Sequence, residues 1–261
     1  MTSTEYVELP SGQRIPLLLT PSPPEFLARF KGARPSAVIP SNEIPDFDLW
    51  PAFIKIRNQG SVGACNSFAS TTAVEFTRAM NGLDFVELSP WFVYGRLVNG
   101  WDVGSNIGQA LTLVEQEGIP PNTEVRWGDY SGKYSESART KALNFRVEIG
   151  NRLETWNEIL TAVALRRGVN LSVCATAGWS GRLDSNGCPP VGRGPGNHAV
   201  MCGGGIKTLP NGERCIKMCN SWGVEWGAEG HCWLTRAHFE EGTWREAFEV
   251  VTVVTDELLT G

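Results

Sequence analysis

The sequence predicts an α+β protein of two lobes, helical first and β-rich second. Two observations carry this. Apolar residues recur at helical spacing through the first half, and short β-branched runs separated by glycine-rich turns fill the second. Size agrees: 261 residues with 41% hydrophobic composition suffice to bury one large core or two smaller ones.

Residues 1–46 are rich in proline and polar side chains and read as an arm, with one short helix expected over Glu25–Lys31. The arm has three available roles: packing on the body, docking a partner or larger assembly, or leading in as a linker. The folded part is taken as 47–261, divided into a helical lobe over about 47–150 and a β lobe over about 151–261. The first strong helix starts at Cys65. Phe68, Ala69, Ala73, Phe76 and Met80 share its face, and Asn81–Gly82 suit a left-handed cap. Further helices are expected over Ser89–Val98 with Pro90 in the first turn, over Ile107–Gln116 stopped by Gly118, and over Thr155–Arg167 stopped by Gly168. Strands are expected in VNLSVCA, NHAVMCGGGIK, RCIKMCNSW, GHCWLT and FEVVTVV.

Composition excludes several classes. Lys and Arg number 23 against 28 Asp and Glu, a net charge of −5, so no nucleic-acid footprint exists. No apolar run is long enough to cross a bilayer, so membrane insertion is not expected. The apolar stretch Ile15–Leu19 is too short for a secretory signal. The seven cysteines are an odd number, and Cys174, Cys202, Cys215 and Cys219 sit among strand-like residues as small hydrophobes do. A cytoplasmic or other reducing compartment is the simpler expectation. Cys215 and Cys219, with Cys202 and Cys232, are spaced along strands rather than paired on turns, so no metal site and no cofactor are assigned.

The segment Asn58-Gln59-Gly60-Ser61-Val62-Gly63-Ala64-Cys65 carries the chemistry. Its glycines let the backbone turn tightly before a helix that opens on a cysteine. A thiol must ionise to attack a carbonyl, and the positive end of a helix and a nearby imidazolium both favour that. The developing oxyanion then needs preorganised donors. Gln59 and the unsatisfied N–H of Cys65 are the candidates. Only three histidines exist: His198, His231 and His238. His198 opens a predicted strand after a glycine-rich loop, a suitable place for a base. Asn220 in Cys219-Asn220-Ser221-Trp222-Gly223 can accept an imidazole N–H and fix its tautomer without adding charge, with Trp222 to cover the bond.

Together these segments resemble the papain family of cysteine peptidases over residues 46 to 236. FDLWP (47–51) resembles the family's mature start, NQGSVGAC its nucleophile segment, and GSNIGQALTLVEQEGI (104–119) the helix behind its glycine wall. NHAVMCGGG and NSWGVEWGAEG resemble its histidine and asparagine strands. The resemblance implies a papain-like two-lobed cysteine proteinase fold, with a helical N-terminal lobe and an antiparallel β-barrel-like C-terminal lobe. It implies Cys65 as nucleophile, His198 as base, Asn220 as its orienter and Gln59 in the oxyanion hole. It also implies substrate contacts at Gly63, Gly104, Ser105, Asn197, Ala199 and Trp222, and a peptide or protein substrate.

The departures matter too. Val62 stands where secreted members carry a disulfide cysteine, and Asn66 stands where tryptophan usually follows the nucleophile. The extra residues between His198 and Asn220 are expected to form a hairpin turn at TLPNGER, 208–214. The arm is shorter than the family's helical prosegment, so no standard zymogen activation is expected, and delivery within a larger particle such as a virus or phage is one setting for it. The expected activity is a cysteine-type endopeptidase. The alternatives are a cell-wall peptide hydrolase or acyltransferase with the same triad, and a non-catalytic structural protein that kept the fold.

Overall fold

In the computed structural model, residues 5–30, 38–49 and 55–253 are described. Three expected features fall partly outside them: Lys31 of the arm helix, Trp50 and Pro51 of FDLWP, and Val254 of the last strand.

The arm is folded. Strands β1 (Tyr6–Glu8) and β2 (Arg14–Pro16) pair antiparallel as a hairpin, followed by helix α1 (Pro24–Arg29). Val7 and Ile15 are fully buried, so alternation along these short strands sets one face against the body. Strand β3 (Phe47–Asp48) comes next.

The helical part contains α2 (Cys65–Met80), α3 (Pro90–Val98), α4 (Ile107–Glu117) and α5 (Glu136–Ala142). α2 ends as its sequence predicts, with Gly82 at a φ of 75°. α3 has Ser89 as N-cap, its hydroxyl accepting from Phe92, with Pro90 in the first turn. Asn106 caps α4, and Gly118 follows it at a φ of 74°.

The second part contains β4 (Val147–Arg152), α6 (Trp156–Ala164), β5 (Gly168–Val173), β6 (His198–Thr208), β7 (Arg214–Cys219), β8 (His231–Leu234), α7 (Arg236–Glu240) and β9 (Ala247–Val253). The order β4-β9-β5-β6-β7-β8, with β3 beside β6, makes a seven-stranded sheet whose pairings are all antiparallel. α6 starts on a Thr155–Glu158 capping box but ends at Ala164, short of the expected Arg167. The chain reverses through Arg166 at a φ of 62°, and Gly168 opens β5 instead of capping a helix. The expected hairpin at 208–214 is present, closed by Leu209 N–H to the Glu213 carbonyl (2.8 Å).

α2 is buried along most of its length, and its residues join those of β4, β6 and β9 in one apolar cluster. A second cluster lies on the far side of the sheet, around α6 and the tryptophans Trp179, Trp222 and Trp226. The arm contributes to both: Val7, Ile15 and Leu17 to the second, Leu19 and Phe30 to the first. No helix among the described residues is long and apolar enough to cross a membrane.

Candidate active site

Cys65 is the first residue of α2, and no side chain caps the helix ahead of it. Its thiol therefore sits at the positive end of the helix, among the N–H groups that helix geometry leaves unpaired. The approach to it is shaped by Gly60, at a φ of 68°, and by Gln59, whose N–H bonds the Ser221 carbonyl (2.8 Å). The Gln59 side chain is held at both ends. Its amide nitrogen donates to the Val62 carbonyl (2.8 Å), and its oxygen accepts from the Ser221 hydroxyl (2.6 Å). One N–H of that amide remains for a ligand.

His198 and Asn220 meet because β6 and β7 are antiparallel. His198 starts β6, Asn220 follows the last residue of β7, and the hairpin between them absorbs the long separation in sequence. The register shifts between Cys202 and Ile206, where Gly204 takes a φ of 72°. His198 Nε2 lies 2.8 Å from Asn220 Oδ1, which also accepts the Ser221 N–H at 2.9 Å. An amide oxygen can only accept, so Nε2 carries the proton and Nδ1 is left with its lone pair. Nδ1 is buried without a hydrogen-bond partner. The Trp222 ring lies 4.7 Å from the imidazole, tilted 33°, and is itself buried, so it shields the His–Asn bond from water. Cys65 packs in the same apolar cluster as Ala199, the neighbour of His198.

Burial dominates the electrostatics. It pushes the Cys65 thiol up to about 11, opposed in part by the backbone N–H groups of Ala199 and Asn66. It lowers His198 to about 4, opposed by the bond to Asn220. Thiol and imidazole are thus both neutral at pH 7 in this conformation.

The arm crosses the loops that flank both residues. Leu18 packs between Gly63 and Gly104, so closely that a Cβ at either glycine would overlap it. Leu19 N–H donates to the Asn197 carbonyl (3.2 Å), and Thr20 N–H donates to the Ser105 carbonyl (3.1 Å). Asn197 also donates from its side chain to Glu5 (3.1 Å). Four predicted substrate-binding residues, Gly63, Gly104, Ser105 and Asn197, are therefore brought together around this chain's own residues 18–20. The other two lie deeper: Ala199 and Trp222 are each 1% exposed. Past the crossing, Ser22 is fastened by its N–H and hydroxyl to the buried Glu246 carboxylate (2.9 and 2.6 Å), and its hydroxyl accepts the Gly108 N–H (2.9 Å).

Sequence reasoning missed Ser221, Asp102, Tyr94, Trp179 and the Ser22–Glu246 pair. Ser221 lies inside the NSW segment and was within reach of it. The others join through the tertiary fold and have no local signature. Among the described residues no cluster of His, Cys, Asp and Glu could hold a metal ion.

Helices on one side, an antiparallel sheet on the other and a cysteine at their seam make the fold and chemistry of a thiol protease. The sequence model of the papain family of cysteine proteases matches residues 48–250. The chain belongs to that family. Among solved structures it is similar to xylellain, a cysteine protease from Xylella fastidiosa, with a TM-score of 0.72 and 18% identity over 97% of this chain and 99% of that one. It is also similar to bromelain from Ananas comosus in complex with the E64 inhibitor (TM-score 0.65, 19% identity, 79% of this chain and 98% of that one). Digestive procathepsin L 3 of the Tenebrio molitor larval midgut is a third (TM-score 0.64, 20% identity, 87% and 78%).

Proposed function

We propose that this thiol protease is an endopeptidase acting through Cys65, His198, Asn220 and Gln59, and that its arm holds it latent. The observation that carries the catalytic reading is the His198–Asn220 bond beside a helix that opens on Cys65. With Nε2–H donated to Asn220, Nδ1 is the nitrogen available to take the thiol proton. The thiolate then attacks the scissile carbonyl, and the oxyanion is met by the Gln59 amide and the Cys65 N–H. The imidazolium protonates the leaving amine, and water releases the acyl group by the same route in reverse.

The latent state is supported by residues 18–20 filling the surface that a peptide would need. Opening the cleft would readmit water and a substrate, and would relieve the burial that keeps thiol and imidazole neutral. Seven free thiols support operation in a reducing compartment. The cell-wall hydrolase and acyltransferase readings use the same triad and differ in substrate and acceptor.

The test compares turnover of fluorogenic peptides by the full chain and by its Leu18→Gly variant, with and without added amine acceptors. Release of the dye in the variant, absent after Cys65→Ser, is expected. Unchanged turnover after Cys65→Ser would sink the catalytic reading. Amine-dependent product would move the reading to acyl transfer. A full chain as active as Leu18→Gly would remove the latency.

A further inference from the structure

The Asp102 carboxylate accepts the Gly63 N–H at 2.9 Å and the Tyr94 hydroxyl at 2.5 Å, through the same oxygen. The Tyr94 hydroxyl in turn accepts the Gly104 N–H at 3.1 Å. Tyr94 is fully buried, and burial beside Asp102 pushes its phenol far above the ordinary range, so it remains a donor. These bonds tie the loop before Cys65 to α3 and to the segment 102–104.

The atoms they hold matter more than the tie itself. Gly63 N–H and the Val62 carbonyl belong to one planar peptide unit. Asp102 grips its N–H end, and the Gln59 amide donates to its oxygen end at 2.8 Å. The Ala64 N–H donates to that same oxygen at 2.8 Å. Rotation of this one plane would carry the oxygen away from Gln59 and re-aim the amide. The plane also leads directly into Ala64 and the Cys65 N–H, the second proposed oxyanion donor. A negative carboxylate at the N–H end further strengthens the carbonyl as an acceptor, because hydrogen bonds in a chain polarise one another.

We propose that Asp102, locked by Tyr94, is a positioning residue for the oxyanion hole, acting on Gln59 through the Val62–Gly63 peptide. This rests on the proposed roles of Cys65 and Gln59. Its charge also disfavours the Cys65 thiolate, an effect shared by every reaction of that thiolate. Its positioning effect appears only in reactions that build negative charge on a carbonyl oxygen.

Two small reagents separate that effect from general damage. p-Nitrophenyl acetate acylates the thiolate. The S–C bond forms as the carbonyl pair moves to oxygen, and the pair returns to expel p-nitrophenolate. Iodoacetamide alkylates the same thiolate by displacing iodide, with no oxyanion. Both rates are read at Cys65 by mass spectrometry in the full chain carrying Leu18→Gly, which serves as the parent. Tyr94→Phe and Asp102→Ala are expected to lower the ratio of acylation to alkylation about tenfold, since a misaimed donor loses part of what a deleted donor loses. Asp102→Asn keeps an acceptor oxygen and is expected to retain most of that ratio, which also covers the case in which Asp102→Ala fails to fold. An unchanged ratio of the two rates, or an Asp102→Asn loss equal to that of Asp102→Ala, overturns the proposal. A parent chain whose Cys65 reacts with neither reagent overturns the assignment of Cys65, and the positioning role with it.

Discussion

Gln59, the proposed oxyanion donor, illustrates how firmly neighbours can hold one side chain. Its side chain is 1% exposed and bonded at both amide atoms, so its remaining N–H has little freedom. A donor held this way needs no reorganisation when the oxyanion forms. Gln59→Ala in the Leu18→Gly chain is therefore expected to lower kcat by about 10²-fold with little change in KM, measured by steady-state peptide hydrolysis. A loss confined to KM would mean that Gln59 binds substrate rather than transition state. Asn66, on the other side of the nucleophile, has a polar role that its sequence position did not suggest. Its amide donates to Ser105 (3.1 Å) and to the Asn106 carbonyl (2.6 Å), and its oxygen accepts from Asn170 (3.3 Å). The residue after the thiol thus bonds the cleft wall and strand β5 together, where a larger ring would fill space without joining them.

Among the elements, the arm is the one on which the proposed latency rests. It is anchored on both banks of the cleft: the hairpin against the β-rich side, and Ser22 and α1 against α4 and Glu246. Ser22→Ala removes the hydroxyl bonds to Glu246 and Gly108, and a buried hydrogen bond to a charged group contributes roughly 1.5–3 kcal/mol. Turnover of peptides is expected to rise several-fold over the unsubstituted chain as the arm loosens, since about 1 kcal/mol shifts an open–closed population about fivefold. No rise in Ser22→Ala, with a rise in Leu18→Gly, would place the hold at the crossing alone. The proposed latency extends to the pH dependence of Cys65. A thiol near 11 gains thiolate only as pH rises, so alkylation of the closed chain by iodoacetamide is expected to be slow at pH 7 and to climb through pH 9 to 11. In Leu18→Gly the climb is expected at lower pH, because water reaches the thiol. Superimposable rate–pH profiles for the two chains would show that the arm does not bury the thiol in solution.

The whole molecule is organised around α2, which carries Cys65 at one end and buries its remaining length against the sheet. Arg57 and Glu75 pair beneath the site through two bonds, with Glu75 also accepting the Leu88 N–H (2.7 Å). The Arg57 carbonyl in turn accepts the Gly223 N–H (3.0 Å), so this pair joins α2, α3's entry and the asparagine loop. Removing Glu75 leaves the buried Arg57 with only the longer contact to the Glu87 carboxylate (3.7 Å). Glu75→Ala is expected to destabilise the chain by about 3–5 kcal/mol, read by denaturant unfolding. A loss below about 1 kcal/mol would mean that water reaches Arg57. At this scale the sequence is a good guide to some elements and a poor one to others. α2, α3 and α4 were legible because each has a helical stripe and an end signal: a Pro90 first turn, or a glycine at positive φ. β4, α5 and the arm hairpin were not. Val147–Arg152 is a short half-buried edge strand, and Tyr6–Pro16 forms strands of three residues whose burial depends on a surface made elsewhere.

What the sequence determined by itself was the family: a cysteine at a helix start, a histidine and an asparagine at strand ends, in the order of the papain family. Caps, glycine turns and periodicity act within a few residues, so they survive being read along a line. Only the tertiary structure decided which distant segments meet around the cleft. Leu18 against Gly63 and Gly104, Ser22 on Glu246, and Asp102 on the Val62–Gly63 peptide each join segments far apart in the chain. Such contacts form because burial leaves polar groups no water to bond, and the partner is whichever residue the fold brings near.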